Sequence, residues 1–244
     1  MAAIERRDAD RRLVFVGDYV NRGPSSRGVV DFLMRLGGCV CCRGNHDDVF
    51  QLLTTGRMWV PEPTRVDPVP TFGGFLKTGL DATLLSYGYS ALEVARLMRG
   101  VSDADVKELG ERVPGSHVSF FQGLQSCHVA GTYFVAHAHW PVGEDTIDDR
   151  CAVPNGLRRG LCWTRYRDDE IDAPKRWDRP GFFGHTPTPF YDTRVEDDAP
   201  RPIFGEKLVL LDTGAFRPRG RLTAVCPETM QVVQAGRDGE VIDG

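Results

Sequence analysis

The sequence has no apolar run long enough to cross a membrane, no strong net charge and no signal peptide. A membrane-spanning helix needs about 20 apolar residues, and the start MAAIERRDAD is too polar for a secretion signal. The formal net charge is −4 over 244 residues. A net charge this small gives no overall electrostatic field that would attract nucleic acid or an anionic membrane. We therefore expect neither partner and expect phosphate to be recognised only locally.

The chain also lacks any pair of cysteines spaced for metal chelation. Its seven cysteines are odd in number and scattered, and no C-x-x-C motif occurs. Cys41 and Cys42 are neighbours in a strand-like run, so their side chains are expected to point to opposite faces. We therefore expect reduced, mostly buried thiols and a cytoplasmic protein.

What the chain does contain is an alternation of strand and helix patterns. RLVFV at 12–16 predicts a buried strand, and SSRGVVDFLMRLGG predicts a helix that ends at Gly37-Gly38. CVCC predicts the next strand, followed by the loop RGNHD and a helix through DVFQLL. This order is typical of an α/β sheet.

Residues 57–130 follow another pattern. VPEPTRVDPVPTFGG is rich in proline and predicts irregular structure, whereas SALEVARLMRG and SDADVKELGERV predict two helices, the second with a Ser102/Asp105 capping box. Strand patterns then return in TYFVA, GFF, KLVLL, LTAVC and MQVVQA. We therefore predict one domain over residues 1–244, with a helical cap inserted at about 57–130.

Four potential metal ligands each follow an apolar strand pattern closely: Asp18, Asn45, His137 and His185. Ligands bind outside the carboxyl ends of the strands in open α/β sheets. One carboxylate, one amide oxygen and two imidazoles form a mixed oxygen and nitrogen set that suits Mn²⁺, Fe²⁺ or Zn²⁺. His46, next to Asn45, is a candidate general acid for a leaving oxygen.

Seven motifs carry a resemblance: GDYVNRGP, GNHD, TLLSYG, HAH, LCWTR, GHTP and LDTGA. Together they resemble the calcineurin-like metallophosphoesterases, specifically the bacterial and phage branch of the PPP-type serine/threonine phosphatases. The resemblance runs from about residue 11 to about residue 226. It implies an α/β fold with a β-sandwich core flanked by helices, and a helical cap insertion.

The resemblance also implies roles for individual residues. Asp18 would bridge two metal ions, Mn²⁺ being the first expectation, and Asn45, His137 and His185 would complete the second ion's ligands. Arg22 and Arg165 would hold phosphate oxygens through the fork geometry of the guanidinium. His46 would protonate the leaving group, with Asn21 at the position of the residue that orients it.

The sequence departs from the family pattern in three places. The family's GDxHG motif, which holds the first metal, has no counterpart, and MAAIERRDAD resembles the end of the helix that follows it. A wrong start site, a fragment or lost catalysis would each explain this, and we expect about one tightly bound ion. Asn21 replaces an Asp, so it can accept a hydrogen bond from His46 without supplying negative charge. His139 replaces a glycine, either as an extra ligand, a steric obstacle or a nearby loop residue.

The expected activity is hydrolysis of phosphate monoesters, with a phosphorylated protein as first substrate and a small phosphoester as the other possibility. A dinucleoside polyphosphate hydrolase shares the GD, GNHD and arginine motifs and stays open as an alternative. A non-catalytic phosphate-binding protein is the alternative from another class. The sequence leaves the oligomeric state open.

Overall fold

The computed structural model describes residues 11–60, 66–141, 143, 145, 155–191 and 199–243. They belong to two compact units. The helical unit comprises residues 17–39 and 43–125, and the sheet unit comprises residues up to 16, residues 40–42 and the residues from 126 onward. The segment predicted from MAAIERRDAD lies outside the described residues.

The helical unit is built from seven α-helices within its described part: α1 (Ser26–Leu36), α2 (Asn45–Thr55), α3 (Pro68–Phe75), α4 (Asp81–Ser86), α5 (Ala91–Leu97), α6 (Asp103–Arg112) and α7 (Gly115–Gln122). A π-helical segment, Leu76–Leu80, joins α3 to α4. The predicted helix α1 is confirmed, with Val30 and Leu33 buried on one face. It ends at Gly37, whose φ of 60° suits glycine.

The cap region is more helical than its sequence predicted. α5 and α6 confirm the two expected helices, and the backbone N–H of Ser102 donates to Asp105 as the capping box requires. The prediction of irregular structure was wrong from Pro68 onward, where α3 begins. Asp67 accepts a hydrogen bond from the Val69 N–H, and proline at the first helical position loses no helical hydrogen bond.

The sheet unit holds ten described strands: β1 (Val14–Phe15), β2 (Val40–Cys41), β3 (Cys127–Val129), β4 (Phe134–Ala136), β5 (Gly181–Phe183), β6 (Ile203–Gly205), β7 (Leu208–Leu210), β8 (Leu222–Val225), β9 (Val232–Ala235) and β10 (Val241–Asp243). Two helices, α8 (Asn155–Trp163) and α9 (Asp168–Ile171), lie between β4 and β5 in the chain. β1 and β2 pair in parallel, a five-stranded sheet has the order β3-β4-β5-β7-β6, and β8, β9 and β10 form an antiparallel sheet.

The central strands β4, β5 and β7 run parallel, and β3 and β6 flank them antiparallel. Val135, Phe182 and Val209 form a row across one face because they are partners in register. This row packs with Val40 and Cys42 in one apolar cluster. Apolar side chains from β1, from the residue after β1 and from β8 pack against this cluster. The β1–β2 pair, the five-stranded sheet and β8 therefore share one apolar core. The predicted α/β fold is confirmed.

The proposed boundary of the cap insertion stays a prediction, although its last residues include a sheet strand. β3 lies at 127–129 and pairs with β4 at the edge of the five-stranded sheet. The six cysteines that the structure describes are all free thiols. In the described part of the chain, every helix is too short or too polar to cross a membrane.

Candidate metal and phosphoester site

The turn after β1 has an unusual backbone. Asp18, Asn21 and Arg22 have φ angles of 61°, 76° and 64°, in the left-handed region that residues with a side chain rarely adopt. Such conformations cost of order 1–3 kcal/mol each and persist where the surroundings impose them. This turn of the helical unit therefore holds three of the predicted site residues in imposed geometry.

Asp47 is the residue that imposes much of that geometry. Its Oδ2 accepts hydrogen bonds from the backbone N–H groups of Asp18 at 2.8 Å and Gly44 at 2.9 Å, and its Oδ1 accepts one from Tyr19 at 2.9 Å. The side chain is fully buried. Gly44 leaves room for the contact, since a Cβ there would lie 2.1 Å from Asp18 Oδ1. The turn is thus tied to the start of α2.

The ionisation of Asp47 is unfavourable in this setting. Burial, and then the negative charge of Asp18, raise the pKa of Asp47 from 3.8 to about 7, and the three backbone N–H groups oppose that rise. A cation bound at Asp18 would reduce the repulsion between the two carboxylates. The charge balance of this cluster therefore favours a bound cation.

The predicted loop RGNHD is in part helical. α2 begins at Asn45, so Asn45 and His46 lie in its first turn, where Asp18 Oδ1 accepts the His46 backbone N–H at 3.1 Å. A carboxylate is favourable there because the first backbone N–H groups of a helix have no partner within the helix. Asn45 and His46 are both buried.

The hydrogen bond between the side chains of Asn21 and His46 runs in the opposite direction to the one expected. Asn21 Oδ1 accepts a hydrogen bond from the Thr83 hydroxyl at 3.1 Å, so its Nδ2 faces His46 Nδ1 at 2.6 Å. Nδ2 can only donate, so the expectation that Asn21 accepts from His46 was wrong. Nδ1 is then the acceptor, and the ring proton lies on Nε2.

Arg22 is positioned through its backbone. Its N–H donates to the Gly79 carbonyl at 2.9 Å, and a Cβ on Gly79 would lie 2.6 Å from Arg22 atoms. Gly79 itself has a φ of 104°. The Arg22 side chain is exposed, as a residue that binds an incoming anion must be.

The two predicted histidine ligands lie together in the sheet unit, with ring centres 5.1 Å apart. His137 directly follows β4 and is buried, and its Nδ1 lies 2.7 Å from the carbonyl oxygen of Val16. A carbonyl oxygen can only accept a hydrogen bond, so Nδ1 carries the ring proton and Nε2 keeps its lone pair. Metal-binding histidines commonly have this arrangement. His185 has a φ of 69°, another imposed conformation.

Comparison with known protein families gives a match over most of the chain. Residues 3–189 match the family described as calcineurin-like phosphoesterase. The chain belongs to that family. The match covers most of the chain, so the predicted metallophosphoesterase resemblance is confirmed at family level.

The metallophosphoesterase of Sphaerobacter thermophilus is among the solved structures similar to this phosphoesterase. The two are 15% identical, and the likeness covers 99% of this chain and 80% of that one, with a TM-score of 0.42. No curated protein matches the chain.

The phosphoesterase places Arg165 and His139 in the sheet unit. Arg165 is exposed, and its Nη1 lies 3.4 Å from the hydroxyl of Thr186, the residue after His185. His139 is buried with its ring stacked on Tyr166 at 4.3 Å. Desolvation by burial lowers the pKa of His139. The part played by His139 among the alternatives stays a prediction.

Two residues of the cluster were missed from the sequence. Asp47 closes the GNHD motif, and that position was the available signal for it. Thr83 begins TLLSYG, but nothing in the pattern showed that its hydroxyl contacts Asn21, 62 positions away. Both act on site residues through hydrogen bonds rather than by contact with a substrate.

Proposed function

We propose that this phosphoesterase hydrolyses phosphate monoesters with a divalent metal ion, and that a phosphorylated serine or threonine protein is its first substrate. The observation that carries the proposal is the orientation of His137. Its Nδ1 lies 2.7 Å from the Val16 carbonyl oxygen, so Nε2 is the ring nitrogen suited to bind a metal ion, and the ring centre lies 5.1 Å from that of His185. Membership of the calcineurin-like phosphoesterase family supports the reaction class.

The proposed ligands are Asp18, Asn45, His137 and His185. Asp18 follows Val16 by two residues, and His137 and His185 lie beside each other in the sheet unit. The donor set fits Mn²⁺ first, with Fe²⁺ and Zn²⁺ as the other candidates. When bound, such an ion polarises a phosphoryl oxygen and makes a bound water more acidic.

The protein's own groups would bind the ester and move a proton. We assign Arg22 and Arg165 to the phosphate oxygens, because guanidinium groups form paired, charge-assisted hydrogen bonds with them. A water oxygen forms the new bond to phosphorus while the ester P–O bond breaks. As the leaving oxygen takes the Nε2 proton of His46, the proton released by the attacking water returns to the ring through solvent, so the products are inorganic phosphate and an alcohol. The free thiols suit a reducing compartment, and we propose the cytoplasm.

The proposal is tested by assaying one protein preparation with a phosphoserine peptide and with diadenosine tetraphosphate. After EDTA treatment and dialysis, activity on the peptide should be absent, and Mn²⁺ should restore it. Preference for the dinucleotide would indicate instead that the protein is a dinucleoside polyphosphate hydrolase. Absence of hydrolysis with Mn²⁺, Fe²⁺ and Zn²⁺ alike would leave only a phosphate-binding protein.

Replacement of Asn21 by Asp should increase kcat about tenfold on an alkyl phosphate, which corresponds to about 1.4 kcal/mol of barrier. The carboxylate would accept a proton from Nδ1 and favour the charged ring of His46, the better acid. Activity should also extend to higher pH. The measurement is a pH–rate profile of the wild type and Asn21→Asp.

Gln231→Glu is the matched control for Asn21→Asp, because it adds the same charge at an exposed position in the sheet unit. It should leave the profile as it is in the wild type. Superimposable profiles for Asn21→Asp and the wild type would show that the Asn21 side chain has no effect on proton transfer.

A further inference from the structure

A cavity of about 630 Å³ lies in the sheet unit, lined in part by Arg165, Thr186, Phe190 and Tyr191. This volume lies in the range of small-molecule sites, about 300–1,000 Å³. Its lining combines exposed cations with aromatic side chains, and nothing in the proposed reaction uses the aromatic part.

One end of the cavity adjoins the proposed phosphate site. Arg165 lies at hydrogen-bonding range of Thr186, which is next to the proposed ligand His185 in the chain. Arg167 and Asp168 also line the cavity and are exposed, and Arg167 is ion-paired with Asp169 at 3.0 Å. A phosphoryl group held by Arg165 would therefore have its ester group beside this cavity.

Phe190 forms another part of the cavity lining, and it is 60% exposed although it is a large apolar side chain. It ends a 3₁₀ turn, Thr188–Phe190, that is fixed by backbone hydrogen bonds from Phe190 to Pro187, from Tyr191 to Thr188 and from Thr188 to Asp212. The ring is thus presented to solvent on a constrained turn.

The other aromatic residues of the lining are much less exposed than Phe190. Tyr166 and Tyr191 are buried, and the Tyr191 hydroxyl donates to the Tyr166 carbonyl at 3.2 Å. The guanidinium of Arg217 lies 5.8 Å from the centre of the Phe190 ring. Phe190 is therefore the aromatic side chain of the lining that a ligand can contact, and the guanidinium of Arg217 is a cation near it.

We propose that this cavity is a leaving-group subsite, and that Phe190 selects phosphoesters whose leaving group carries a planar ring. The inference rests on the proposed phosphoesterase function. In a phosphoprotein substrate the ring would be an aromatic side chain beside the phosphorylated residue. Stacking on an aromatic ring adds to the stabilisation that the buried apolar area provides.

The test compares 3-phenylpropyl phosphate with propyl phosphate, which share the same type of leaving oxygen and differ by the ring. We expect kcat/KM to be about tenfold higher for the phenyl ester, equivalent to about 1.4 kcal/mol. In Phe190→Ala that ratio should fall to about one, and in Phe190→Tyr it should persist. Phe204→Ala, which removes an exposed phenylalanine from β6, is the matched control and should keep the wild-type ratio.

A third ester, 3-cyclohexylpropyl phosphate, separates stacking from apolar contact. If the enzyme uses it as well as the phenyl ester, selection of a planar ring is overturned. A phenyl-to-propyl ratio that is unchanged in Phe190→Ala would overturn the subsite itself.

Calorimetric binding of the two esters in EDTA keeps this inference separate from the reaction. If no ester is hydrolysed but Phe190 still determines tighter binding of the phenyl ester, the proposed function fails and the subsite stands. If both esters are hydrolysed with equal kcat/KM and bind equally, the subsite fails and the proposed function stands.

Discussion

Replacement of His46 by Gln should reduce kcat on an alkyl phosphate by about 10²–10⁴-fold, the usual contribution of general acid catalysis. The same variant should lose much less activity on 4-nitrophenyl phosphate, because that leaving group departs without protonation. His46 is buried, and its ring contacts Asn21 and Phe75, so its position is defined on two sides. The measurement is kcat for both substrates with Mn²⁺ present.

His128→Gln is the control for His46→Gln, because it makes the same exchange in β3, where the ring contacts Tyr133. It should retain wild-type kcat on both substrates. An equal loss on the two substrates in His46→Gln would rule out proton donation to the leaving group and leave His46 a role in positioning.

Replacement of Asp47 by Ala should lower the free energy of unfolding by about 3 kcal/mol and weaken Mn²⁺ binding. The change leaves three backbone N–H groups without their acceptor in a buried turn, and each unsatisfied group costs about 1–3 kcal/mol. Part of this cost is offset because the variant no longer buries a carboxylate. Chemical denaturation in EDTA gives the stability, and calorimetry gives the affinity for Mn²⁺. Glu111→Ala removes an exposed carboxylate of α6 and should change neither quantity measurably.

The pH dependence gives a second check on Asp47. Its folded pKa of about 7 lies above the ordinary 3.8, so the folded, metal-free chain holds a proton that the unfolded chain releases. The resulting stability is present below pH 4 and is lost as pH rises through 7. Asp47→Asn should remove this dependence between pH 4 and 7. A wild type with the same slope as Asp47→Asn would show that Asp47 is ionised in the fold.

The alternation of patterns was enough to predict much of the secondary structure. β1, α1 and β2 occur where RLVFV, SSRGVVDFLMRLGG and CVCC predicted them, because each segment has the apolar period of its element. The proline-rich segment was less informative. Proline favours both irregular structure and the first turn of a helix, and the Asp67 cap decided for the helix at α3.

The site shows a similar division. Asp18, His137 and His185 follow strands, so their candidacy as ligands was visible from the sequence. The contacts that orient them were not visible. Those contacts join residues distant in the chain, such as His137 and Val16, which are 121 positions apart.

The sequence by itself determined the element order, the donor types and the resemblance to the calcineurin-like phosphoesterases, because these depend on local pattern and on short motifs. The tertiary structure alone decided which ring nitrogen of His46 and of His137 carries the proton, since a tautomer depends on the partner that folding brings to the ring. It also decided that Asn21 donates to His46, because Thr83 occupies the amide oxygen. Asp47 became part of the site for the same reason: its three backbone partners converge only in the folded chain.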